Sequence, residues 1–90
     1  MEETRIEQDG WLSRVVILQI NENTLTATVY DKHELRGAGT GQQVTQKEIS
    51  LSSTGKAPSF SQYWSLFSLC LRHLDAVIGI RALWWLNRNH

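Results

Sequence analysis

Cys70 and His73 stand three residues apart in a stretch of helical character, a spacing that lets a thiol and an imidazole face each other. Nucleophilic catalysis would need more: a lowered thiol pKa and a third group to orient the base. Leu69 and Leu71 flank the cysteine instead, which points to a buried, inert thiol. His33 and Glu34 are adjacent, but no second histidine follows at metal-ligand spacing. No pair of carboxylates sits in an apolar context, so the usual general acid and base signature is missing. The expectation is a protein that is not an enzyme and has no cofactor.

The run HELRGAGTG, residues 33–41, could cradle an anion with its backbone N–H groups. It lacks the dinucleotide fingerprint and the P-loop lysine, and a polar segment of strand character follows it where those motifs need a helix. The plainer reading is a flexible hairpin loop. If it functions, Lys32, Arg36, Gly37, Gly39 and Gly41 would touch a partner as a mobile arm.

Trp11, Tyr63, Trp64, Trp84 and Trp85 are many large aromatics for 90 residues. Core packing accounts for some of them: one or two tryptophans with Phe60 and Phe67 are expected to fill the helix–sheet interface, and Trp64 with one of the Trp84–Trp85 pair is assigned there. Two consecutive tryptophans cannot face the same core in either a helix or a strand. One of them must therefore reach the surface or a second interface. Arg81, Trp84, Trp85 and Arg88 are the expected contact residues, because tryptophan and arginine dominate interface hot spots.

The elements that must position these residues follow from the pattern. Residues 1–9 lack apolar periodicity and read as a loose tail or an edge. The stretch from Trp11 to Ile20 is β-branched and apolar, and Thr24–Asp31 alternates, with Asn21-Glu22-Asn23 between them as a hairpin turn. Residues 42–51 are polar with Val44, Ile49 and Leu51 as anchors, as an edge strand would be. Pro58 closes a linker, and Ser59 with Gln62 forms a capping box that starts a helix. That helix carries one narrow polar stripe: Ser61, Ser65, Ser68, Arg72, Asp75 and Gly79. Arg72 and Asp75 are expected to pair on it, and the chain breaks or kinks near Gly79 before a short further helix or strand. The fold class is therefore α+β in a single domain of residues 1–90: a three-stranded antiparallel sheet over 11–51 under a helical segment over 59–88.

Formal charge is zero, but residues 1–50 hold five Lys/Arg against eight Asp/Glu, and residues 51–90 hold four against Asp75 alone. Nucleic-acid binding would need cations gathered on one face, with Arg14, Lys32, Arg36 and Lys47 along the sheet as the candidates. A single cysteine excludes an internal disulfide, and the acidic start is unlike a secretory signal. No long uncharged apolar run occurs, so the expectation is a soluble, cytoplasmic protein with no membrane contact.

No family motif is legible. In size, βββα order and lack of a catalytic constellation, the chain is similar in kind to small α+β proteins of phage and mobile elements, anti-CRISPR inhibitors among them. That likeness implies a non-enzymatic interaction module that binds and sterically blocks a larger protein or complex. A homodimer is an equally natural use of the aromatic end. The alternatives are nucleic-acid binding through the sheet, or a structural subunit that oligomerises.

Overall fold

The computed structural model describes residues 2–8, 13–31, 42–51 and 58–88. Their order is β1 (Glu2–Gln8), β2 (Arg14–Asn21), β3 (Thr24–Asp31), β4 (Gln42–Ser50), α1 (Phe60–His73) and α2 (Ala76–Arg88). The architecture is α+β, an antiparallel sheet under two helices, with strands in the order β1-β2-β3-β4.

The sheet has four strands where three are expected from the sequence. The supposed tail, Glu2–Gln8, pairs with β2 over its whole length, from Glu2↔Ile20 to Gln8↔Arg14. Its side chains hid it, because Ile6 is the only one of the seven that is buried. A strand at an edge is held by backbone ladder hydrogen bonds, which composition does not reveal.

β2 and β3 form the expected hairpin in continuous register from Arg14↔Asp31 to Asn21↔Thr24. Glu22 takes a φ of 58°, the left-handed region that a tight hairpin turn demands of a central residue. β4 is the opposite edge, with a register irregularity opposite Val29/Tyr30.

Opposed residues in antiparallel strands share a face, so the registers divide the sheet. Ile6, Val16, Leu18, Ile20, Leu25, Ala27, Val29 and Ile49 point one way and make the sheet's half of the core. The helices supply Leu66, Leu69, Cys70, Ile78, Ala82, Trp85 and Leu86. β2 and β3 contribute most because they are central and covered by the helices on that face.

The helical segment is two helices forming a hairpin, and the break comes earlier than Gly79. α1 opens on the predicted box: Gln62 N–H donates to Ser59 Oγ at 3.4 Å, and Ser59 N–H donates to Gln62 Oε1 at 2.7 Å. α1 ends at His73, where Leu74 N–H still donates to Cys70 O but its φ of −130° leaves the helix. Asp75 then restarts the chain. Its Oδ1 accepts from Ile78 N–H at 2.9 Å, the N-cap of α2, so its carboxylate serves as a cap in place of the expected partner for Arg72.

Gly79 lies buried inside α2, against α1. A Cβ there would stand 2.6 Å from Phe67 Cδ2, so glycine is what lets the two helices approach. Tyr63 Oη donates to Asn87 Oδ1 at 2.8 Å and ties the far ends of the hairpin together. No described helix is long and apolar enough to cross a membrane.

Candidate interaction surface

Cys70 and His73 come out on different duties. Cys70 is fully buried in the core between helix and sheet, and burial, with Asp75 adding to it, pushes the thiol up to about 11. A thiol so held is protonated near neutral pH and is a poor nucleophile. The backbone carbonyl of His73 accepts from Arg14 Nη1 at 2.8 Å, which ties β2 to the last turn of α1. Burial together with the nearby Arg14 and Arg72 charges lowers the imidazole's pKa, favouring its neutral form. Among the described residues no three His, Cys, Asp or Glu side chains gather as a metal site would require.

Arg14 and Lys47 also answer to the sheet-face reading. The register places both on the helix-covered side, since Arg14 opposes Asp31 and Lys47 opposes Ala27. The other side of the sheet carries Glu3, Arg5, Glu7, Gln19, Thr24, Thr26, Thr28, Gln46 and Glu48. Its described charges are one arginine against three glutamates, and Arg5 Nε lies 2.8 Å from Glu7 Oε1. Among the described residues that face carries a net negative charge, which disfavours a phosphate backbone. Lys32, Arg36, Gly37, Gly39 and Gly41, like Trp11, lie outside the described residues.

The helical hairpin presents the contrasting surface. On α1, Phe60, Trp64 and Leu71 are exposed, with Phe67 partly so; the spacing of four, three and four puts them on one stripe. On α2, Val77, Ile80 and Trp84 are exposed at intervals of three and four. The buried residues of each helix fix a different stripe against the sheet, so the α1 stripe is left outside, while Ile80 and Trp84 of α2 look towards the edge strand β1. Phe60 is 82% exposed, Trp84 61% and Trp64 56%.

Trp84 and Trp85 divide as their adjacency requires. Trp85 packs into the core at 9% exposure, with the remainder of its ring lining the groove beside β1. Trp84 stays outside, with the Arg88 guanidinium 5.1 Å from its ring centroid. Arg81 is exposed and lines a groove of about 310 Å³ between α2 and the edge strand β1, together with Thr4, Arg5, Ile6, Ile80, Trp84 and Trp85.

Trp64 and Phe60, both expected to fill the helix–sheet interface, lie exposed instead. The Trp64 ring sits beside the partly covered Phe67, at 6.4 Å between centroids and 48°. The sequence does carry a signal for exposed aromatics: Phe60, Tyr63, Trp64, Leu66, Phe67, Leu69, Leu71, Leu74, Val77 and Ile78 form an arc wider than one sheet face covers, but it does not say which of them stay outside.

A second cleft, of about 330 Å³, lies between β4 and the end of α1. It is polar, lined by Thr45, Gln46, Lys47, Ser68, Leu69, Arg72 and His73. Its α1 basic residues complement the partial negative charge at that helix's C-terminus.

Compared with known proteins, the chain matches no family model, no curated protein and no solved structure.

Proposed function

We propose that this protein is a non-enzymatic interaction module that binds a larger protein or complex through the outer face of its helical hairpin. It acts by occupying that surface and blocking it sterically, as small phage and mobile-element inhibitors of the anti-CRISPR kind do. The observation that carries the reading is the exposure of Phe60, Trp64 and Leu71 along one stripe of α1. Large apolar side chains aligned along one exposed stripe mark a surface that a partner covers.

The arrangement suits such a contact. Large aromatics lose little side-chain entropy when buried, and Arg88 over Trp84 adds a cation that can serve a partner's carboxylate. The buried, protonated Cys70 supports the non-enzymatic side of the reading. Nucleic-acid binding through the sheet receives less support, since its described cations Arg14 and Lys47 face the helices.

The test is affinity capture with the tagged chain from its native host, read by mass spectrometry, followed by reconstitution with the purified partner. One stoichiometric partner is expected with wild type and lost with Trp64→Ala or Phe60→Ser, while circular dichroism stays unchanged. A partner retained equally by both variants contradicts the assignment of the surface. Duplex binding that falls steeply with salt would favour the nucleic-acid alternative.

A further inference from the structure

We propose that the outer edge of β1, with the groove beside it, is a self-pairing site at which a second copy of this chain adds its own β1. Among the described residues β1 pairs on one side only, with β2, so the backbone N–H and C=O groups of its other edge form a template for another strand. The groove that Ile6, Ile80, Trp84 and Trp85 line runs beside that edge and gives an incoming element apolar surface to cover. Ile80 and Trp84 are each 61% exposed there.

The charges of β1 identify the occupant. Glu3, Arg5 and Glu7 alternate with Thr4 and Ile6, so all three charges project from one face. When two copies pair antiparallel with their core faces on the same side, residues of equal parity oppose each other. A two-fold axis at Ile6 puts Arg5 opposite Glu7 of the second copy, and by symmetry does so twice. It also sets Ile6 beside its counterpart, next to the groove. An axis at Arg5 instead opposes arginine to arginine and Glu3 to Glu7, and one at Thr4 keeps an Arg5–Glu3 pair but sets Ile6 against Glu2, so charge and apolar matching together favour the Ile6 register.

β4, the other edge, has no such pattern. Lys47 and Glu48 are adjacent in sequence and project from opposite faces, so no self-pairing of this kind joins them. The register irregularity at its inner side also distorts it, a common protection of edges. In the β1 dimer, Arg81, which lines the groove, flanks the seam, its stem covering apolar surface while its head reaches water. The stripe of Phe60, Trp64 and Leu71 belongs to α1, which packs towards β4, so it stays free for a different partner.

Light scattering on the purified full chain over a dilution series tests this. Wild type is expected at twice the monomer mass at micromolar concentration. Arg5→Glu leaves three glutamates on that face of the strand, and the double variant Glu3→Arg/Glu7→Arg leaves three arginines there. Each is expected as a folded monomer, and an equimolar mixture of the two is expected to regain the doubled mass. Loss of the Arg5–Glu7 pair within one chain could not be restored by mixing, so this arm separates pairing between copies from a merely structural role. Should Arg5→Glu fail to fold, Arg5→Ala is expected to weaken self-association by about tenfold. A wild type that stays monomeric throughout, or a mixture that does, overturns the proposal. Failure here leaves the Trp64 capture result untouched, and the reverse also holds.

Discussion

Gly79→Ala should read out the packing of the helical hairpin through a reversal of sign. On an exposed helix the change would stabilise by roughly 1 kcal/mol, because alanine restricts the unfolded chain and favours the helix. Here the new Cβ would stand 2.6 Å from Phe67 Cδ2 and 2.8 Å from Cε2. The ring must move, and moving it disturbs its contact with Trp64. Overpacking of this kind costs roughly 1–3 kcal/mol. The net expectation is a protein destabilised by about 0–2 kcal/mol, the difference of those two effects. With Phe67→Ala already in place the obstacle is gone, and Gly79→Ala should then stabilise by about 1 kcal/mol. The assay is urea denaturation of the four proteins of this double-mutant cycle, with constant slopes confirming a two-state transition. If Gly79→Ala stabilises wild type as much as it stabilises the Phe67→Ala background, the helices do not approach as described and the reasoning fails.

Removing the cap of α2 gives a second expectation. Asp75→Ala should cost about 1 kcal/mol in chemical denaturation and Asp75→Asn far less, since asparagine can also accept from Ile78 N–H; equal losses would exclude the cap. Two titrating groups bound the pH range of stability. Cys70 is raised in the folded state, so its contribution is complete below pH 9.0 and is lost as pH climbs towards 11. That loss amounts to at most about 3 kcal/mol. His73 is lowered, so its contribution is complete above pH 6.5 and declines as pH falls below it. Thermal denaturation should therefore show a plateau between those limits. Cys70→Ser should shallow the alkaline arm, and an unchanged arm would assign it to another group.

What could be read from the chain depended on how much of each element's stability comes from its side chains. The alternation of Leu25, Ala27 and Val29 against threonines located β3 and its partner, because a half-buried strand writes its period into the sequence. Ser59 and Gln62 marked the start of α1 for a similar reason, since both arms of the box are side-chain hydrogen bonds. β1 offered only Ile6 as a buried residue and was illegible. Asp75 fitted the polar stripe of one long helix as well as it fits the start of a second, and only the backbone at Leu74 decides between them. On the surface, the division of Trp84 from Trp85 followed from adjacency alone. The exposure of Trp64 did not, because it depends on where a second helix lies beside the first.

The most direct test of an interaction surface on the hairpin is site-specific photo-cross-linking in the native host. Trp64→p-benzoylphenylalanine puts the reactive group on the outer face of α1, and the same replacement at Thr26 puts it on the far side of the sheet. The account predicts one discrete cross-linked protein from position 64 and none from position 26. Equal labelling from both positions, or labelling from position 26 alone, would contradict it.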